Sequence, residues 1–396
     1  MTRLRINRRV VPRGVALVLT VAWCASWVGV ATGQSVRSIP GFEWERSYGA
    51  KGYEHQYLVA AVEPSSRDLV LGVRRRGVDD ASSAWQLWLW RIDNRGRLIS
   101  EFRVPTPPEV TSTALADIVA IAPGRDGAIM VVVDYKAGPP WWLKLSPTGT
   151  LVLARDLSRV LPRAKIYVMT PGREGHFVLL GTVDGDALVI KGDEAGDFPW
   201  HKTFDRGATE FFVAGARSDS GFVLLGKSGR AGEEPRLWLM TLDDQGNIAA
   251  ESPLFNGRHG SIARTSSGVL ALVYDRGHSP AQEIRLVTLN DRLLAIAEVG
   301  ILTLPRGMGT FHVEPAASGD LLVVGSADLR LWIARVTVDG KIRWSSTISH
   351  TIAARFGLST DNHHALIPWT AIEVKGKQGE GKEIRSRIGV LGINTK

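Results

Sequence analysis

The stretch TVDGKIRWSS, Thr337–Ser346, sets an Asp-Gly turn between an apolar run and a short segment that carries Trp344. The same build returns in WRIDNRGRLISE (Trp90–Glu101), LSPTGTLVLA (Leu145–Ala154) and LDDQGNIAAE (Leu242–Glu251). Such turns favour Gly and Asx because they need positive φ and local side-chain hydrogen bonds. The turn glycines are Gly96, Gly149, Gly196, Gly246 and Gly340, with Arg292 assigned to the slot between the last two. A tryptophan stands eight residues before four of these turns, at Trp88, Trp141, Trp238 and Trp332. Trp200 and Trp344 each stand four residues after theirs.

A second family of turns repeats in phase with the first. PGRDGAIMVVV, PGREGHFVLLG, SDSGFVLLG, TSSGVLALV and AASGDLLVVG align on Gly127, Gly175, Gly221, Gly268 and Gly319, at steps of 48, 46, 47 and 51 residues. SSRDLVLGV fits one step earlier and TDNHHALIP one step later, which makes seven copies. Each unit reads strand, tight turn, strand, variable loop, aromatic-bearing strand, Asx-Gly turn, strand, with no helical period. Four-stranded units of this length predict an all-β, seven-bladed β-propeller of antiparallel blades. The last unit lacks a fourth strand, and GFEWERSYG (Gly41–Gly49) resembles GDFPWHKTF and GKIRWSSTI. Residues 42–48 are therefore expected to complete the last blade and remove two open strand edges.

These units resemble the repeats of secreted bacterial β-propellers, including the quinoprotein-like repeats in which an Asp-x-x-Gly turn precedes a tryptophan. The resemblance covers nearly all of the chain after the leader and implies the fold. Relatives that bind pyrroloquinoline quinone add a vicinal disulfide, a metal site and a catalytic carboxylate. The outer-membrane assembly scaffolds of similar fold bind partners through loops. Cys24 is the only cysteine, so no vicinal disulfide can form and no cofactor is expected.

The first 33 residues read as a secretory signal. Arg3, Arg5, Arg8, Arg9 and Arg13 precede an uncharged apolar stretch from Gly14 to Ala31, with small residues at Ala31 and Gly33. Cleavage after Gly33 would leave 34–396 as one propeller domain, monomeric and without a stable membrane span. The formal net charge of +8 includes those five arginines, so 8 − 5 leaves +3. That mild balance argues against nucleic acid as a partner.

Function is expected in the loops between second and third strands, which share a face with the connections between blades. RRRGVDDASSA, DYKAGPP, KSGRAGEEP, YDRGHSPAQ and EVKGKQGEGKE are irregular and carry Arg74, Arg75, Arg76, Lys136, Arg276, Lys375 and Lys377. The expected ligand-binding residues are Arg74, Arg75, Arg76, Lys136, Arg276 and Lys375, with Trp142 and Trp85 as aromatic surfaces outside the repeat register. The four in-register tryptophans are expected to pack between blades. The arginines and lysines, read as solvated, suit an anionic glycan or protein partner. His363-His364 and the pair His312 and Glu314 supply too few ligands for a metal, and none is expected. No Gly-x-Ser-x-Gly elbow or phosphate-cradling loop is present. The expected role is a non-enzymatic binding scaffold in the bacterial periplasm or at the cell surface. The alternative is a propeller hydrolase acting on a glycan or other extracytoplasmic substrate.

Overall fold

A computed structural model describes residues 39–50, 52–63, 66–77, 84–110, 116–135, 138–230, 232–276, 281–290, 292–305, 311–316, 319–327, 330–348, 359–360, 364–375 and 383–394. The leader expected over 1–33 lies outside the described residues. The described chain forms seven antiparallel sheets. Strand β1 (Phe42–Tyr48) comes first in sequence and last in the ring. Blade 1 is β2 (Tyr53–Val62), β3 (Leu69–Gly77), β4 (Gln86–Ile92) and β5 (Leu98–Arg103). Blade 2 is β6 (Ala116–Pro123), β7 (Ile129–Tyr135), β8 (Trp141–Leu145) and β9 (Leu151–Asp156). Blade 3 is β10 (Lys165–Pro171), β11 (His176–Val183), β12 (Asp186–Asp193) and β13 (Trp200–Phe204). Blade 4 is β14 (Thr209–Arg217), β15 (Gly221–Gly229), β16 (Arg236–Asp243) and β17 (Ile248–Glu251), with the short β18 (Phe255–Asn256) also on β16. Blade 5 is β19 (Gly260–Arg264), β20 (Leu270–Arg276), β21 (Ala281–Leu289) and β22 (Ala295–Pro305). Blade 6 is β23 (Phe311–Pro315), β24 (Leu321–Ala327), β25 (Arg330–Val336) and β26 (Ile342–Ile348). Blade 7 is β27 (Ser359–Thr360), β28 (His364–Lys375) and β29 (Glu383–Asn394), completed by β1 in the order β1-β29-β28-β27.

The first strand of each blade touches the first strands of its two neighbours, so β2, β6, β10, β14, β19, β23 and β27 close an inner circle. The middle strands of a blade are buried on both faces and read as nearly continuous apolar runs, as in β7, β11, β12 and β16, while outer strands such as β5 and β9 are half-buried to exposed. The buried side chains fall into seven clusters, one at each junction between blades. The junction of blades 7 and 1 is as apolar as the rest: Leu71 and Trp90 of blade 1 meet Leu366, Ile388 and Val390 of blade 7. Closure by β1 follows the expectation, with Phe42 opposite Ile393 and Tyr48 opposite Ile388.

The Asx-Gly turn has a second job. Within the turn, the Asp93 carboxylate accepts N–H bonds from Arg95 and Arg97, and Asp193 and Asp243 do the same in their blades. From outside, the turn receives the outer strand of the preceding blade. The Trp44 indole donates to the Asn94 carbonyl, and that of Trp200 donates to the Asp244 carbonyl. A Cβ added at Gly96 would lie 2.7 Å from Cε3 of Trp44. The aromatic after one turn thus covers the turn of the next blade.

Two details differ from the expected repeat. In blade 5 the positive-φ position is Leu293, at +60°, and Asn290 is the capping residue. Arg292 is one position early: the turn starts at Asn290, so its fourth residue, the place of the glycine in the other blades, is Leu293. Gly221 opens β15 without positive φ, since the β14–β15 hairpin closes through Ser218 and Gly221 and is one residue shorter than those of blades 2, 3, 5 and 6.

Candidate functional site

The arginine triplet lies in a strand, not a loop. Glu54 and Gln56 of β2 stand opposite Arg76 and Arg74, which extends β3 through the charged run to Gly77. Alternation along β3 then divides the three side chains. Arg74 donates to the Gln56 amide oxygen at 2.6 Å and to Asp117 of blade 2 at 2.9 Å. Arg76 donates to Glu54 at 2.8 Å, and Trp85 takes both guanidinium groups against its ring at 4.8 Å. Arg75 goes the other way, 3.6 Å from the Trp88 centroid and 4.9 Å from that of Tyr53. The three side chains are only 22%, 14% and 33% exposed, which corrects the expectation of solvated loop residues. Cation–π and carboxylate partners take up most of their charge.

Trp142 is corrected as well. It is fully buried in β8, stacked on Phe177 and edge-on to Phe198. Trp141 and Trp142 point to opposite faces of blade 2, and each face is covered by a neighbouring blade. An out-of-register tryptophan therefore reaches another core rather than solvent. Trp141, Trp238 and Trp332 are buried as expected, and Trp88 packs partly buried in its cluster. Arg276 ends β20, more than half exposed and 3.7 Å from Glu298. Lys375 ends β28, the second strand of blade 7, and so stands at the same edge of its blade as Arg74–Arg76 and Arg276. Lys136 and Lys377 lie outside the described residues, as does His363. His312 and Glu314 share one face of β23, where burial pushes the His312 pKa down to about 4 and that of Glu314 up to about 7.

On this loop-bearing face, blades 2 and 3 border an open cavity of about 950 Å³. Four segments converge on it: the β7–β8 loop with Gly138, Pro139 and Pro140, the connection from β9 to β10, β10 itself, and the β11–β12 hairpin. The register of β10 against β11 slips between Ile166 and Val168, a bulge that leaves Tyr167 unpaired in the ladder. Bulges re-aim side chains, and Tyr167 is 42% exposed at the cavity with its ring edge-on to Phe211. Its hydroxyl pKa is raised, by burial first and by the Asp134 carboxylate second. Arg163 and Asp184 form a 2.8 Å ion pair on one wall, and exposed Lys165 completes the charged rim. A second open groove, of about 820 Å³, runs along the outer strands of the same blades, past Arg155, Trp200 and Lys202.

Two further groups face the same side. In blade 5, buried Asp275 accepts the backbone N–H groups of Arg258 and His259 and lies 3.0 Å from His259 Nδ1. Burial raises the Asp275 pKa, but these hydrogen bonds outweigh it and hold the carboxylate below its ordinary range. Between blades 3 and 4, carboxylate oxygens of Asp186, Asp205 and Glu210 lie within 4.8 Å of one another. None of Tyr167, Lys165, Arg163 or these three acids stood out in the sequence. The one available cue was the length of the connection from Asp156 to Lys165. The acids sit on three segments with no common spacing.

No protein-family model matches the sequence, and no curated protein matches it. Solved structures share the fold at very low identity. The chain is similar to the WD40 domain of Toxoplasma gondii coronin (TM-score 0.53, 12% identity, covering 90% of this chain and 87% of that one). It is also similar to Drosophila Plexin A, solved in complex with Semaphorin 1b (0.52, 9%, 90% and 88%), and to the polysaccharide lyase Uly1 (0.50, 10%, 95% and 94%). A protein solved with its partner and an enzyme are both among them, so the likeness shows the fold alone.

Proposed function

We propose that the protein is a non-enzymatic binding scaffold of the bacterial periplasm or cell surface, delivered there by its leader. The ligand or partner would be held on the loop-bearing face. The observation that carries this reading is the cavity between blades 2 and 3, where Tyr167 stands half-exposed beside Pro139, Pro140 and Lys165. An aromatic face flanked by a cation suits a glycan or peptide that presents both an apolar surface and an acidic group. The anionic partner expected from the sequence is retained, but its seat moves from Arg74–Arg76, which are engaged within the blades, to the Lys165 side of the face. A hydrolase reading would centre on His259, oriented by Asp275 in blade 5, away from this cavity.

The experiment uses the protein without its leader, probed against acidic and neutral oligosaccharides and against envelope proteins. Tyr167→Ala with Lys165→Glu should weaken binding at least tenfold, while Arg97→Ser in an opposite-face turn should leave it unchanged. Binding should also fall as salt is raised. Equal binding by parent and cavity variant would remove the cavity as the seat, and turnover of a bound glycan that is lost in His259→Ala would favour the hydrolase.

A further inference from the structure

Asp186, on one blade, comes close in space to Asp205 and Glu210, which flank the start of the next. Asp186 opens β12 after the β11–β12 hairpin, Asp205 follows β13, and Glu210 is the second residue of β14. Hydrogen bonds fix where each one sits. The Thr182 hydroxyl lies 2.8 Å from the Asp186 carbonyl and 3.0 Å from that of Glu210. The Glu210 N–H reaches the Gly185 carbonyl at 2.6 Å, and the Gly207 N–H reaches Asp205 Oδ1 at 2.7 Å.

Glu210 is the telling residue. It is 0% exposed. Its Oε1 accepts from the Ala208 N–H and the Ser228 hydroxyl, at 2.9 and 3.1 Å. Its Oε2 is buried without a hydrogen-bond partner. Among the described residues no ion pair reaches any of the three carboxylates; Arg230, near by, donates to the Gly207 carbonyl instead. A buried carboxylate oxygen left bare beside two more acids is strongly unfavourable, unless positive charge enters between them.

We propose that Asp186, Asp205 and Glu210 hold a divalent cation, calcium, that ties blade 3 to blade 4. The donors are all hard oxygens, with no nitrogen or sulfur among them, which suits calcium over the softer transition metals. Oxygens within 4.8 Å of one another can share one cation at calcium–oxygen distances of about 2.3–2.6 Å. Exposed Asp205 gives the ion an entry side and leaves room for water in its shell. Thr182 and Gly185, which hold the site's backbone, also line the cavity between blades 2 and 3, so the ion would stiffen one wall of it.

The test takes the full chain, stripped with a chelator, and titrates it with calcium or magnesium chloride by calorimetry and by thermal unfolding. Calcium at about 100 times its Kd should raise the Tm by about 3 °C. Asp205→Asn and Glu210→Gln should each abolish that rise. Asp205→Asn should also raise the Tm in chelator, because it removes a repelling charge; it is exposed and stands as the test if Glu210→Gln does not fold. No heat of binding and no shift in the parent would overturn the proposal. So would a shift that survives in both variants, or a response to magnesium and none to calcium.

Discussion

At Gly149 two demands meet. The residue takes φ +84° to close the β8–β9 turn, and the Phe102 ring of blade 1 lies where its Cβ would be. An alanine there must adopt a disfavoured backbone and displace a neighbour's ring. Gly149→Ala should lower stability by roughly 2–4 kcal/mol. Gly232→Ala, at φ +85° with nothing within 4 Å, should cost about 1 kcal/mol from backbone strain alone. Urea unfolding of both variants checks this, and equal losses would show that the preceding blade does not set the requirement. The turn itself was legible from the sequence, because Gly and Asx mark it. The contact with the Phe102 ring was not, since it spans two blades. Leu293 marks the same boundary: the sequence pattern placed the slot at Arg292, and only the N–H bonds that Asn290 accepts locate it.

At the scale of the element, β2 and β3 show why charged residues mislead. A run of three arginines reads as a solvated loop, yet the partner strand supplies Glu54 and Gln56 opposite them and the ladder continues. The acids that match the arginines lie about twenty or more residues away, beyond local pattern. The same pair of strands holds His55, 1% exposed and packed against Trp90. Burial, then the Arg75 charge, pushes its pKa down to about 4, against a smaller upward pull from the Tyr53 backbone. In the unfolded chain the value returns to about 6.5. The unfolded state therefore binds the extra proton first as pH falls. This contribution to stability is fully present above pH 6.5 and is lost progressively towards pH 4, by up to roughly 3 kcal/mol. His55→Gln should flatten that part of the pH dependence when urea midpoints are compared between pH 7.5 and 4.5. Parallel curves for parent and variant would exclude His55 as the source.

For the whole molecule, the period of the turns was enough to count seven blades, and the likeness of Gly41–Gly49 to the outer strands of other units identified the closing strand. Repeats announce themselves because each must bury both faces in the same way. The cavity at Tyr167 and the three acids were hidden, because both depend on how neighbouring blades meet, and Tyr167 also on the bulge in β10. Closure should matter to the ring as a whole. Removing Phe42–Tyr48 strips the ladder from β29, uncovers Leu391 and Ile393 of that strand, and takes Trp44 and Tyr48 from the Gly96 turn. The loss should be roughly 5 kcal/mol or more, with self-association through the bared β29 edge. Thermal unfolding and size-exclusion chromatography measure the two effects, and a monomer of parental stability would contradict the closure role.

The pairing of β1 with β29 also decides how the ring answers to force. The chain enters β1 beside the point where it leaves β29: the Asn394 N–H donates to the Gly41 carbonyl at 2.7 Å, and Phe42 faces Ile393. Tension between these two ends acts across the ladder rather than along it. It would part the strands rung by rung from Phe42 to Tyr48, as a zipper opens, instead of shearing six pairings at once. A propeller tethered at one end and pulled at the other would yield first at its clasp, with the other six blades still folded.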